Sequence, residues 1–297
     1  MKECLNSFMK KLLVTSILLV FTFSSFSQTG SEIYILDLKE KKGKITLSNP
    51  RNITNRKGYD NQPSFHKTNK VLYFSSFDDA GRADLKSYNL KTKETKNITT
   101  TQEREYSPTL TPDGNYLSCI IQRDNGAQNL GKYPVEGGEA TVIIDDLTVG
   151  YHVWADNSHL ALFILGKENA PNTLHYLELP TRQDTILAEN IGRSLHRIPT
   201  KEAISYVAKL SATQWEIRQL NLDKLSSVKI ADTLPGREDL CWTAEGTLLS
   251  SDGEKIYMLQ NGKWTPLTIK GLQSPLKGIT RMAVNARNST LAIVISE

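Results

Sequence analysis

Short apolar segments alternate with short polar turns through most of the 297-residue chain. Within many segments, such as "ADLKSYNL" and "NTLHYLEL", apolar and polar residues alternate with a period of two. This period is typical of a half-buried β-strand, whereas an amphipathic helix repeats every 3.6 residues. No helical period follows the first 27 residues, so the pattern predicts an all-β protein.

The segments also recur in a fixed order. Two apolar segments separated by a polar turn occur six times, and a third and a more polar fourth segment follow in most units. The first segment of each unit carries an apolar anchor, and the anchors are spaced 45, 44, 44, 44 and 42 residues apart: Phe65, Leu110, Trp154, Ile198, Trp242 and Val284. Four antiparallel strands in each unit of about 44 residues are typical of a β-propeller blade. The sequence therefore predicts a six-bladed β-propeller of four-stranded antiparallel blades.

The two ends of the chain complement each other. Near the N-terminus the pattern gives a third strand at residues 32–38 and a fourth at residues 51–54, with no first or second strand before them. Near the C-terminus it gives a first and a second strand with nothing after them. We expect the C-terminal strands to pair with the N-terminal strands in one blade, which closes the ring and covers strand edges. Residues 28–297 are thus predicted to form a single propeller domain.

The first 27 residues have the pattern of a signal peptide. Lys2, Lys10 and Lys11 precede an apolar stretch at residues 12–23, and small residues follow at Ser25 and Ser27. An N-terminal membrane anchor is the alternative, although the apolar stretch is short for a bilayer span. We predict cleavage after residue 27, a periplasmic or secreted bacterial protein, and no stable membrane insertion after cleavage.

Charge and cysteine content exclude some functions. The net charge is +4 for the whole chain and +2 without residues 1–27, and the basic residues are scattered. Nucleic-acid binding is not indicated, because it would require a clustered positive surface. Cys119 and Cys241 fall in predicted strands, so we expect them to be buried and unpaired, with a disulfide as the alternative.

One copy of the repeat resembles a known family. The segment "SPTLTPDGNYLSCI", with Pro108 and Gly114, resembles the WD40-like (PD40) repeat of TolB-like propellers, and "KNIT" at residues 96–99 resembles the end of its fourth strand. The best copies lie between residues 59 and 147. The resemblance implies an exported cell-envelope propeller that binds a protein or peptide. TolB proteins carry an additional α/β domain before the propeller, and we expect none between Gln28 and the first complete blade.

Catalytic motifs are missing from the sequence. It has no Gly-x-Ser-x-Gly elbow, no His-Glu-x-x-His and no paired-cysteine zinc spacing. We therefore assign no catalytic residue, no cofactor and no metal ligand, and whether the protein is an enzyme stays open.

Candidate binding residues follow from the propeller geometry. The first strand of each blade lines the central channel, so residues just before and at the repeated proline position converge on it. The candidates at the channel mouth are Gln62, Tyr106, Ser107, Tyr151, His152, His196, Asp239 and Arg281. Polar and aromatic residues that converge on a concave surface are typical of a ligand or peptide site.

Three interpretations of this channel remain at this stage. The favoured one is a non-catalytic module that binds an envelope protein or peptide. The alternative is a glycan-binding or glycan-degrading propeller, because some propeller polysaccharide lyases hold a metal with channel histidines, and His152 and His196 share one repeat position. Two histidines alone do not make a transition-metal site. The third interpretation is an accessory propeller with a structural role and a water-filled channel.

Overall fold

The computed structural model describes residues 30–78 and 80–296, which form a six-bladed β-propeller. This confirms the predicted all-β fold, and the described residues contain no helix. The predicted signal peptide at residues 1–27 lies outside the described residues.

The strands follow one another in blade order. The first two are β1 (Ser31–Lys41) and β2 (Lys44–Asn52). Blade 1 contains β3 (Asp60–Phe65), β4 (Val71–Phe77), β5 (Ala83–Asn89) and β6 (Thr95–Asn97). Blade 2 contains β7 (Arg104–Leu110), β8 (Tyr116–Gln122), β9 (Gln128–Pro134) and β10 (Thr141–Ile144). Blade 3 contains β11 (Val149–Trp154), β12 (His159–Ile164), β13 (Thr173–Glu178) and β14 (Gln183–Glu189).

The remaining strands complete the ring. Blade 4 contains β15 (His196–Arg197), β16 (Ala203–Lys209), β17 (Trp215–Asn221) and β18 (Ser226–Asp232). Blade 5 contains β19 (Leu240–Trp242), β20 (Leu248–Ser251), β21 (Ile256–Gln260) and β22 (Lys263–Pro266). The last three strands are β23 (Ile269–Lys270), β24 (Ile279–Val284) and β25 (Thr290–Ser296).

The closing blade joins both ends of the chain, as predicted. Its strand order is β24-β25-β1-β2, and β1 pairs antiparallel with β25 from Ser31↔Ser296 to Asp37↔Thr290. A short fifth strand, β23, adds to β2 in parallel orientation, which the repeat pattern did not predict. The ring therefore depends on hydrogen bonds between the first and the last strands of the described chain.

The predicted fourth strand at residues 51–54 was placed too late in the sequence. In the structure this strand is β2, Lys44–Asn52, and it follows β1 through a two-residue turn. Lys42 and Gly43 of that turn both have positive φ, 52° and 71°, as a tight type I′ hairpin requires. The turn consists of a lysine before a glycine, without the Asn or Asp that most clearly marks such hairpins in a sequence.

The anchor aromatic residues pack between neighbouring blades. Phe65 packs against apolar residues of the closing blade and blade 1. Trp154 of blade 3 donates its Nε1–H to Ser118 Oγ of blade 2 at 2.8 Å, and Trp242 of blade 5 donates to Ser205 Oγ of blade 4 at 2.8 Å. Each indole thus fills apolar space and satisfies its single donor across a blade boundary.

Both described cysteines are free and buried, as expected. Cys119 lies in β8 among apolar residues between blades 1 and 2, and Cys241 lies in β19. They behave as small apolar core residues.

Candidate functional site

A channel cavity of about 590 Å³ occupies the centre of the ring. Its wall is formed mainly by the first strands of the blades and by the residues that lead into them. Exposed residues of the turns after these strands, Lys67, Pro199 and Ala286, form the rim of the cavity. Arg193 and Asp239 precede β15 and β19, at the ends of these strands away from the rim, and they form the floor together with Arg281 of β24.

Seven of the eight candidate residues line this channel cavity: Gln62, Ser107, Tyr151, His152, His196, Asp239 and Arg281. Tyr106 does not line it and instead packs edge-on against Phe77, with ring centroids 6.3 Å apart. The convergence of the other seven follows from their position before or at the start of the first strands. The residues predicted at a channel mouth therefore lie at the floor of a cavity that opens among the turns.

Tyr151 and Arg281 meet across the channel. Arg281 Nη2 donates a hydrogen bond to Tyr151 Oη at 2.8 Å, and its guanidinium carbon lies 5.0 Å from the centre of the tyrosine ring. Tyr151 belongs to blade 3 and Arg281 to the closing blade, which face each other in a ring of six. The pair thus spans the channel and combines a charged hydrogen bond with a cation–π contact.

A network of charges continues from this pair. Arg193 binds Asp239 through two nitrogens, with Nη2–Oδ2 at 2.8 Å and Nε–Oδ1 at 3.3 Å. Arg281 Nη1 lies 3.6 Å from Asp239 Oδ1, so the carboxylate is shared between two guanidinium groups. Glu238 Oε2 accepts from the backbone N–H of Arg193 and from Lys209 Nζ at 2.9 Å. Arg193, Asp239 and Arg281 line the cavity, whereas Glu238 and Lys209 continue the network behind them. The two arginines and one aspartate give the floor an excess of one positive charge.

Arg193 and Lys209 were missed by the sequence reasoning. Arg193 lines the channel from three residues before His196, in the segment that leads into the two-residue strand β15 and outside the repeat positions used for the prediction. Lys209 lies at the end of β16, a second strand. The segment before a short first strand does not follow the repeat pattern. The contacts of these two residues could therefore be identified only from the structure.

The two histidines are held by neighbouring hydroxyl groups. His152 is 6% exposed, and its Nε2 lies 2.7 Å from Ser118 Oγ, the same oxygen that accepts from Trp154. Burial lowers the pKa of His152 to about 3. His196 Nε2 lies 2.9 Å from Ser194 Oγ, and burial lowers its pKa to about 4 although nearby Asp239 opposes the change. Both rings are neutral at neutral pH.

Gln62 and Ser107 share an unusual backbone conformation. They occupy the same repeat position and have φ of 57° and 56°, a region that residues other than glycine seldom adopt. Both positions interrupt the register between the first and second strands, and Ser107 N–H donates to Gln62 Oε1 at 2.8 Å. The bulges turn these residues towards the channel and link blades 1 and 2.

Within residues 30–78 and 80–296, no group of three or more His, Cys, Asp or Glu side chains is placed to hold a metal ion. In the same part of the chain, no helix has the length and apolar character needed to cross a bilayer.

Comparisons with known proteins identify the fold. A protein from Agrobacterium tumefaciens described as a TolB superposes with a TM-score of 0.70 at 14% identity, covering 91% of this chain and 99% of that one. An oligogalacturonate lyase in complex with manganese gives 0.58 at 14% identity, with 85% and 82% covered. A chain of the nidogen/laminin complex gives 0.61 at 11% identity, with 90% and 98% covered. No protein-family model matches the sequence, and no curated protein matches it.

At these identities the structural neighbours show the fold alone. The TolB neighbour confirms the TolB-like propeller architecture that the "SPTLTPDGNYLSCI" segment predicted. The other two neighbours superpose on the same fold, although one is named as a lyase and the other as part of a protein complex.

Proposed function

We propose that this protein is an exported, non-catalytic β-propeller of the bacterial cell envelope that binds a protein or peptide in its central channel. The observation that carries the proposal is the floor built by Tyr151, Arg193, Asp239 and Arg281 within a cavity of about 590 Å³. Tyrosine and arginine are frequent anchors of protein interfaces. Export rests on the signal-peptide pattern of residues 1–27 and remains part of the proposal.

The cavity has the composition expected of a peptide site. Pro63, Phe65, Trp242 and Val284 give its wall an apolar surface, while the floor offers charges and a phenol. A chain segment that enters from the turns would bury apolar side chains first and meet polar partners at the floor. The fold likeness to a chain of the nidogen/laminin complex is consistent with a propeller that binds protein.

Affinity capture tests this proposal. The tagged mature chain would be incubated with the envelope fraction of its host, and the retained proteins quantified by mass spectrometry for the wild type and for Y151A and R281A. The control is I186A, because Ile186 is 61% exposed and lies on the outer strand β14. We expect the wild type and I186A to retain one partner in stoichiometric amount. Y151A and R281A should each bind this partner about tenfold more weakly.

Two results would contradict the proposal. One is the absence of any stoichiometric protein partner. The other is equal capture by the wild type and both channel variants, with all melting temperatures within a degree of one another. The second result would place a protein-binding surface elsewhere on the propeller.

Glycan binding is the second candidate function. The oligogalacturonate lyase neighbour favours it, because the two chains share the propeller fold. An uronate carboxylate would match the excess positive charge of Arg193 and Arg281. Thermal unfolding with and without oligogalacturonate tests this candidate directly. A concentration-dependent rise in the melting temperature supports it, and an unchanged melting temperature removes it.

A further inference from the structure

A second cavity, of about 490 Å³, lies between the closing blade and blade 1. It shares Phe65, Lys67, Asn285 and Ala286 with the rim of the channel cavity. The two cavities therefore adjoin at these four residues, on the face of the ring that carries the turns. We call this second cavity the cationic groove, for the charged side chains that line it: Arg51, Lys67, Lys70, Lys93 and Arg287.

The charge of the cationic groove is one-sided. Among the described residues, no Asp or Glu lines it. Arg51 is paired with Asp37 at 2.7 Å. Lys67 Nζ donates to the carbonyl oxygen of Pro112 at 3.1 Å, and Arg287 Nη2 donates to that of Thr68 at 3.0 Å. Carbonyl oxygens hold these two cations in place without neutralising them.

Lys70 and Lys93 add two more positive charges at the groove. Both are exposed, and no carboxylate of the described residues lies within 4.0 Å of either ammonium group. Four uncompensated cations therefore gather at one site in a chain whose net charge is only +2 without residues 1–27. Clustered charge of one sign attracts ligands of the opposite sign and speeds their association.

The floor of the cationic groove is apolar. Partly buried Ile53, Phe65 and Leu90 line it, and Asn69 and Asn285 supply amide groups beside them. An extended peptide points successive side chains to opposite sides, so acidic residues can face the cations while apolar residues face the floor. Aliphatic side chains fit such a floor better than sugar rings, which carry hydroxyl groups around their edges.

We propose that the cationic groove binds an acidic, extended segment of a protein partner, which continues from the groove into the channel. This inference rests on the proposed protein-binding function and adds the chemical class of the bound segment. The occupant is a peptide with alternating acidic and apolar residues, and the attraction between its carboxylates and the groove lysines guides it to the channel.

Fluorescence anisotropy with synthetic peptides tests the inference. The probes are a labelled twelve-residue peptide that alternates Glu and Val, and a matched peptide in which every Glu is replaced by Gln. We expect the acidic peptide to bind at least tenfold more tightly at low salt, with the difference shrinking as salt screens the charges. Equal affinities for the two peptides would overturn the inference.

Paired charge reversals locate the site. K70E/K93E should weaken binding of the acidic peptide by about tenfold, because two attractive charges become repulsive. The matched control is K224E/K263E, which makes the same change in net charge at exposed lysines that line neither cavity. Equal weakening by both double variants would show only an effect of net charge and would overturn the inference.

Two further measurements separate this inference from the proposed function. If K70E/K93E captures the envelope partner as strongly as the wild type, the cationic groove is not used although protein binding stands. If the wild type captures no protein at all, the proposed function itself fails. In a competition experiment, an oligogalacturonate of equal charge and the unlabelled acidic peptide would each displace the labelled peptide. If the oligogalacturonate does so at the lower concentration, the groove is assigned to glycans instead.

Discussion

The side chains of Tyr151 and Arg281 join opposite blades of the ring across the central channel, with Arg281 Nη2 at 2.8 Å from Tyr151 Oη. The two residues are 130 positions apart in sequence. Neighbouring blades are held by packed apolar surfaces, whereas this contact connects blades on opposite sides of the ring. It fixes the cavity floor and links the closing blade to the middle of the chain.

A double-mutant cycle with Y151F and R281M measures this contact. We expect a coupling energy of about 1 kcal/mol, because the hydrogen bond has a charged donor and is only partly exposed. Urea unfolding of the four proteins provides the values. R197M removes an arginine whose partner Glu202 is 85% exposed and serves as the control. A coupling energy of zero would mean that the contact contributes nothing to stability.

The buried histidines should make the fold sensitive to acid. The folded-state pKa of His152 is about 3 and the unfolded value is about 6.5, so the unfolded chain binds this proton first as the pH falls. The resulting stability is present above pH 6.5 and is lost between about pH 6.5 and pH 3. We expect H152Q, which can keep a hydrogen bond to Ser118, to unfold with a shallower pH dependence than the wild type. The free energy of unfolding would be measured by urea unfolding between pH 4 and pH 7. If it changes equally with pH in both proteins, this assignment is contradicted.

The positive φ of Ser107 predicts a stabilising substitution. A non-glycine residue in this region costs about 1–2 kcal/mol, and the buried Ser107 Oγ has no hydrogen-bond partner. S107G removes both costs and keeps the backbone bond to Gln62, so we expect a gain of about 1 kcal/mol in the free energy of unfolding after the entropic cost of glycine. Q62G relieves the same conformation but deletes the acceptor Oε1, and its gain should be smaller. A destabilised S107G would contradict this explanation.

Removal of residues 273–297 should prevent folding. The deletion takes away β24 and β25, which leaves β1 without its seven paired residues in β25 and breaks the ring. We expect insoluble protein, because the edge of β1 and the apolar side chains of the closing blade become exposed. A soluble truncated chain with a cooperative unfolding transition would contradict the closure.

The repeat made most of the fold predictable. Anchors such as Phe65, Trp154 and Trp242 recur at nearly constant spacing because each blade must fill the same space against its neighbour. The β1–β2 hairpin was misplaced because its Lys42-Gly43 turn gives only a weak local signal.

The site was less predictable than the ring. Repeat positions identified Tyr151, Asp239 and Arg281, but their mutual contacts depend on distances across the channel, which no local pattern encodes. The cationic groove was even less predictable from the sequence pattern than the channel site. Its lysines and arginines come from the closing blade and blade 1, and they look scattered until the ring closes.

Site-specific photocrosslinking tests the central claim most directly. A photoreactive amino acid would replace Ala286, which lies on the shared rim of both cavities, or Val228, which is 48% exposed on the outer strand β18. Each protein would be irradiated in the envelope of its host. Binding in the channel predicts that one partner protein crosslinks from position 286 and not from position 228. Crosslinks from position 228 alone would contradict the channel as the binding site.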